Sequence, residues 1–124
     1  AALREAVNYM KTREQFGKKL LDFQGLQFKL ADMSTELESS KALTLKAARL
    51  KDDKKNFILQ ASMAKLKATD ACMFITTEAV QLHGGYGYTK EYHVERYMRD
   101  AKVLQIVEGT NEIQKIVIAK ELFS

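Results

Sequence analysis

Three observations on this chain of 124 residues predict an all-α fold. It contains no proline, so no residue both removes a backbone donor and clashes with the preceding helical turn. Its six glycines fall at positions 17, 25, 84, 85, 87 and 109, which leaves long segments without an interruption. Within those segments apolar residues recur in alternating three- and four-residue steps, the period of one helix face.

The first segment, over 3–16, places Leu3, Ala6, Val7, Met10 and Glu14 at helical spacing, with Gly17 as a left-handed C-cap. The second, over 20–50, repeats Phe23, Leu26, Leu30, Met33, Leu37, Ser40, Thr44 and Ala47 in a narrow stripe. At 1.5 Å per residue it spans roughly 45 Å, a length typical of a bundle. Lys51 to Asn56 has no apolar period and reads as a solvated turn. Beyond it the stripe restarts with Phe57, Ala61, Ala64, Ala68, Ala71, Ile75, Ala79 and Leu82, giving an antiparallel partner whose alanines permit close helix approach. A fourth helix is expected over 94–105. A fifth begins near Thr110, whose hydroxyl can cap it while Glu112 complements its dipole; Ile113, Ile116 and Val117 would then face the bundle. The prediction is one domain over 1–124: an antiparallel up-down four-helix bundle with an additional short C-terminal helix.

The composition, 46% hydrophobic and 29% charged, suits a globular domain, and no apolar run is long enough to cross a bilayer. The net charge of +4 is dispersed along the chain and does not call for a nucleic-acid partner. The lone Cys72 lies in an alanine-rich helical pattern and reads as a small buried hydrophobe. As a nucleophile it would need His83 or His93 as a base. The chain opens Ala1-Ala2-Leu3-Arg4 without an initiator methionine, inside a helical pattern, and so reads as part of a longer protein.

Three stretches break the bundle pattern, each at a helix end: Arg13 to Gly17, Gln81 to Gly87, and Glu108-Gly109-Thr110. Free amides at helix N-termini and the small size of glycine suit such places to phosphate or polar cofactor groups. Pattern alone leaves plainer readings open. Arg13 can complement a helix dipole, Gly84-Gly85 can simply turn the chain, and Glu108 can be a solvated hinge carboxylate.

Taken in order, R-x-Q-F-G at Arg13 to Gly17, Gln24 with Phe28 to Met33 after it, QLHGGYGYTKEYHVERYMRDAK and EGTNEIQ closely resemble the C-terminal helical domain of the acyl-CoA dehydrogenases. The likeness runs over essentially the whole chain. It implies that the N-terminal helical and middle β-domains of that family are absent from this chain. It also implies an FAD-dependent oxidoreductase that converts an acyl-CoA thioester to a trans-2-enoyl-CoA.

By the same resemblance, Glu108 matches the base that removes the α-proton while the β-hydrogen leaves as hydride to the flavin. Raising its pKa would need desolvation, for which Ile106 and Val107 offer an apolar approach. The Glu108 amide matches one arm of an oxyanion-type site for the thioester oxygen, and Gly109 would let substrate pass close to the main chain. Arg13, Gln15 and Phe16 match contacts to the cofactor of an adjacent subunit, and Gln24 a further position near it. Gln81, Gly84 and Gly85 match the motif along its adenosine portion. Thr110 and Glu112 match contacts at a helix start whose free amides would favour phosphates.

Further implications are an electron-transfer flavoprotein as partner, a homotetramer built as a dimer of dimers, and a bacterial cytoplasm or mitochondrial matrix as location. No metal site, nucleic acid or membrane partner is expected. Arg99 and Asp100 read as surface ion pairing, and Tyr86 and Tyr88 as packing at the core edge. Val107 stands where the family commonly has an aromatic, so it and Gly109 are the substrate-side positions. His93 stands where proline is frequent. Alternatives are an acyl-CoA oxidase-like relative, or, for the isolated chain, a non-catalytic helical oligomerisation module.

Overall fold

In the computed structural model, which describes residues 1–123, the chain is helical as expected. The helices are α1 (Ala2–Thr12), α2 (Gln24–Asp52), α3 (Ile58–His83), α4 (Gly85–Tyr88), α5 (Val94–Leu104) and α6 (Asn111–Phe123). A minimal hairpin of β1 (Glu14–Gln15) and β2 (Lys18–Lys19), followed by a 3-10 turn at Leu20–Asp22, joins α1 to α2.

Two predicted boundaries move for the same local reason. The first helix ends at Thr12, not Phe16, and Gly17 is a turn residue, not a cap. With Glu14 paired to Lys19 and Gln15 to Lys18, the loop is the two residues Phe16 and Gly17, and both have positive φ, +54° and +78°. That is the geometry which matches the strand twist of a tight hairpin. The Thr12 hydroxyl donates to the Tyr9 carbonyl at 3.1 Å, and the Leu20 amide donates to Arg13 at 2.9 Å. The second helix therefore starts at Gln24, after Asp22 has capped the 3-10 turn through the Lys19 amide at 3.2 Å.

α3 is the central element, packed against α1, α2, α4, α5 and α6. Its pairing with α2 is antiparallel: Lys29 bonds Glu78 and Glu36 bonds Lys67, so numbers rise on one helix as they fall on the other. The apolar seam is the predicted one, with Ala64, Ala71, Ile75, Ala79 and Leu82 of α3 buried and Met33 and Ala47 of α2 opposite. α1 adds Ala6 and Met10, and α5 adds Val94 and Ala101. Hydroxyls enter this seam because they bond back to their own helix. Ser40 donates to the Glu36 carbonyl at 2.8 Å and Thr76 to the Cys72 carbonyl at 2.8 Å, so no donor is stranded.

Three expectations about faces fail. Ile113 and Ile116 of α6 point outward, at 49% and 62% exposure, and of the three expected residues only Val117 is partly covered. Thr44 is exposed, and Tyr88, at 84% exposure, does not pack on the core edge. α6 lies on α3 with Asn111 buried and Val117, Ile118 and Ala119 partly covered, so only part of its apolar set faces the bundle. Cys72 is half-buried, and burial pushes its thiol pKa up. Among the described residues no helix is long and apolar enough to cross a membrane.

Candidate active site

The sequence-predicted residues assemble into two regions on α3, one at its C-terminal end and one near its middle. At the end, Arg13, Gln15, Gln81, Gly84 and Gly85 line a single cleft of about 550 Å³ together with Tyr9, His83 and Tyr86. The hairpin after α1 brings Arg13 and Gln15 to the place where α3 stops. The Arg13 guanidinium lies 5.4 Å from the Tyr86 ring centroid and, among the described residues, has no carboxylate partner.

The floor of that cleft is aromatic. His83 stacks on Tyr9 with ring centroids 4.3 Å apart, and Tyr92 meets both rings edge-on. Burial raises the Tyr9 phenol pKa against the lowering pull of Arg13, so the phenol stays neutral. His83 Nδ1 lies 2.7 Å from the Ala79 carbonyl, while its buried Nε2 has no hydrogen-bond partner among the described residues. Gly84 needs glycine for its backbone, at φ +60° and ψ −141°. Gly85 does not: its φ is not positive, and a Cβ there would meet nothing within 4 Å.

Phe16 and Gln24 are outside the cleft. Phe16 is 92% exposed at the hairpin tip, edge-on to Phe23 with centroids 6.4 Å apart, and Gln24 is exposed beside Phe23 at the start of α2.

The second region is the loop between α5 and α6. Glu108 and Gly109 are both left-handed, at φ +56° and +84°. For the glutamate this conformation costs roughly 1–2 kcal/mol. A Cβ on Gly109 would come 2.7 Å from Gln114 Nε2, the far end of a side chain that can move aside, so it is the left-handed backbone that calls for glycine here. Gln114 donates from α6 to the Gly109 carbonyl at 3.2 Å and the Glu108 carbonyl at 3.4 Å. The Glu108 amide donates to no acceptor among the described residues.

Two sequence expectations are corrected here. Glu108, Ile106 and Val107 are all exposed, so the apolar residues before the carboxylate do not bury it. A six-residue connection on the outside of one central helix has no second wall to offer. The amides at the start of α6 are also not free. The Thr110 hydroxyl accepts from Ile113 at 3.3 Å, the Thr110 carbonyl from Gln114 at 3.0 Å, and the Gln105 carbonyl from Asn111 at 3.1 Å. Glu112 caps its own amide and accepts from the Thr110 hydroxyl, which holds its carboxyl below the usual range. Thr110 and Glu112 thus cap this helix start from within the domain.

Sequence reading missed what anchors the loop. Asn111 Oδ1 accepts from Lys65 at 2.8 Å and Thr69 at 2.9 Å, and its Nδ2 donates to Asp70 at 2.7 Å. The same Asp70 oxygen accepts from Gln105 Nε2 at 2.7 Å. The partial signals were Asn111 at a helix start and a polar Thr69-Asp70 pair in an alanine-rich face.

Arg99 pairs with Glu95 at 3.0 Å one turn away, in line with a surface role, and this holds the Glu95 carboxyl low. No trio of His, Cys, Asp or Glu among the described residues is arranged to hold a metal.

The family profile described as acyl-CoA dehydrogenase, C-terminal domain, matches residues 1–123. A short-chain specific acyl-CoA dehydrogenase of Megasphaera elsdenii is 55% identical over 94% of this chain and 30% of its own length. The caffeyl-CoA reductase-Etf complex subunit CarC of Acetobacterium woodii is 53% identical over 95% of this chain and 31% of its own. The structure of butyryl-CoA dehydrogenase from Megasphaera elsdenii superposes with a TM-score of 0.97 at 52% identity, covering 99% of this chain and 32% of that one. The chain thus spans a little under a third of the length of these curated relatives. A profile match across every described residue, with the same helical architecture, makes this chain a member of the acyl-CoA dehydrogenase family, in its C-terminal domain.

Proposed function

We propose that this domain belongs to an FAD-dependent acyl-CoA dehydrogenase in which Glu108 removes the α-proton of an acyl thioester. The observation that carries the reading is the Glu108-Gly109 pair: a carboxylate at strained positive φ, next to a glycine whose backbone is left-handed too, with the carboxylate's own amide without an acceptor among the described residues. Strain of this kind persists where surrounding contacts enforce it, and it is concentrated at active sites.

The carboxylate takes the α-proton and becomes neutral. The Glu108 amide donates to the thioester oxygen and stabilises the charge that develops there. Because Glu108 is exposed within this chain, the desolvation that tunes it comes from substrate and from protein beyond these residues. FAD, when bound, supplies the acceptor for the β-hydride.

The cleft at the end of α3 fits such a group. It offers an uncompensated guanidinium for a diphosphate, an unpartnered imidazole nitrogen as a polar contact, and a glycine at 85 for which the chain itself gives no steric reason. Arg13, Gln15, Gln81, Gly84 and Gly85 would hold it, with Phe16 and Gln24 on the adjoining exposed face. Val107 and Gly109 border the acyl group.

The exposed apolar residues of α6 and of the preceding loop fit assembly into a homo-oligomer, read as a tetramer. An electron-transfer flavoprotein is the proposed redox partner, in line with the name of the Acetobacterium woodii relative. That relative is named as a reductase, which favours a second reading. In it the same residues work in reverse, Glu108 delivering a proton to the α-carbon of an enoyl thioester.

The test uses the full-length enzyme. Anaerobic mixing with short-chain acyl-CoA should bleach the flavin absorbance, while Glu108→Gln should bind the thioester without bleaching. A colourless protein, or a Glu108→Gln variant that bleaches at the normal rate, would sink the proposal.

A further inference from the structure

We infer that Asn111, through Asp70 and Gln105, is the positioning residue for the Glu108 loop; the inference rests on the role proposed above for Glu108. The loop begins at Gln105 and ends at Asn111, and both side chains converge on one oxygen of Asp70, each at 2.7 Å. The backbone closes between the same two residues, the Asn111 amide donating to the Gln105 carbonyl at 3.1 Å. The base of the loop is therefore joined to itself and to the middle of α3.

Asn111 is 5% exposed, and both ends of its amide are used. Its oxygen accepts from Lys65 and Thr69, and its nitrogen donates to Asp70. A buried amide with its acceptor and donor sides both engaged has one orientation, since flipping it would face donor to donor and acceptor to carboxylate. Fixing Asn111 fixes the start of α6, and α6 carries Gln114, which bonds the carbonyls of Glu108 and Gly109. The left-handed conformation of Glu108 is thus enforced from both sides. None of these side chains is within reach of chemistry by itself; they act through the placement of the carboxylate and its amide.

The polarity of the network supplies its own test. Asn111→Asp keeps shape and still accepts from Lys65 and Thr69, but it faces Asp70 with like charge. Combining it with Asp70→Asn reverses the donor and acceptor across that bond, and Gln105, whose Nε2 shares the same Asp70 oxygen, then turns its half-exposed amide to accept there with Oε1, giving up its contact from Lys102. Gln105→Met, at a half-exposed site, removes only the second arm.

In the full-length enzyme, two readouts are taken: anaerobic flavin bleaching by butyryl-CoA, with its dissociation constant, and amide hydrogen exchange of the 105–111 peptide. Asn111→Asp is expected to raise loop exchange at least tenfold. It should slow bleaching about tenfold or more, with butyryl-CoA affinity within threefold of the parent. The exchanged pair should recover both to within threefold, and Gln105→Met should show a smaller loss of the same kind. Unchanged loop exchange, unchanged bleaching with a loosened loop, or a double variant no better than the single one would overturn the inference. A Glu108→Gln arm that bleaches normally overturns the functional reading instead, while the exchange data still decide whether the clamp exists.

Discussion

His83 stacks on Tyr9 at 4.3 Å between ring centroids and 24° between planes, and this pair joins the end of α3 to α1 beneath the cleft at that end. The imidazole is 3% exposed, and its Nε2 lacks a partner among the described residues. His83→Ala should cost roughly 2–4 kcal/mol through lost ring contacts and the cavity left behind. His83→Phe keeps the ring and removes the stranded nitrogen, and should cost under about 1.5 kcal/mol. Urea denaturation of both variants measures the difference; equal losses would show that the ring contacts contribute little.

Two glycines make an opposed pair. A Cβ on Gly87 would lie 2.4 Å from the Val80 carbonyl oxygen and 2.8 Å from His83 Cβ, so Gly87→Ala must lift α4 from α3. A loss of about 1–3 kcal/mol is expected. A Cβ on Gly25 would meet nothing within 4 Å, and its φ is not positive, so Gly25→Ala should add roughly 0.4–1 kcal/mol by narrowing the unfolded ensemble. Thermal melts of the two variants should move in opposite directions.

Acid should loosen the start of α6. The Glu112 carboxyl has a native pKa below its ordinary 4.5, because its own amide and the Thr110 hydroxyl donate to it. A depressed native pKa means that the contribution is fully present above the unfolded value and is lost as pH falls through the native one. Glu112→Gln should therefore lower the melting temperature slightly at pH 7 and leave a shallower decline below pH 4.5 than the parent shows. Parallel acid declines in parent and variant would count against the capping role.

Cys72 should be a slow thiol. Burial raises its pKa, and among the described residues no base is hydrogen-bonded to it. Alkylation by iodoacetamide at pH 8 should run at least tenfold slower than for free cysteine and rise to the free rate on unfolding in urea.

The isolated chain should self-associate. Ile106, Val107, Ile113, Ile116 and Phe123 are all exposed at the α5–α6 loop and on α6, a run of apolar side chains of the kind that marks a protein contact. Sedimentation should give a mass above 14.1 kDa, with no dehydrogenase activity in the isolated domain; a monomer alone would contradict the first expectation.

The sequence by itself determined most of the helices, the α2–α3 seam and the short stretches that break the bundle pattern, because helical period, absence of proline and glycine placement act locally. Arg13, Gln15, Gln81, Gly84 and Gly85 could each be named in isolation, but only the tertiary structure decided that they share one cleft. That depends on a hairpin whose Phe16-Gly17 turn returns the chain against the end of α3. The anchor of Glu108 was hidden for the same reason: Asp70 and Asn111 lie 41 positions apart in sequence, and their 2.7 Å bond arises only when α6 lies on α3. Which face of α6 points outward was likewise left to packing, since its apolar residues run around the helix and the side that meets α3 carries the buried Asn111 and the partly covered Val117, Ile118 and Ala119.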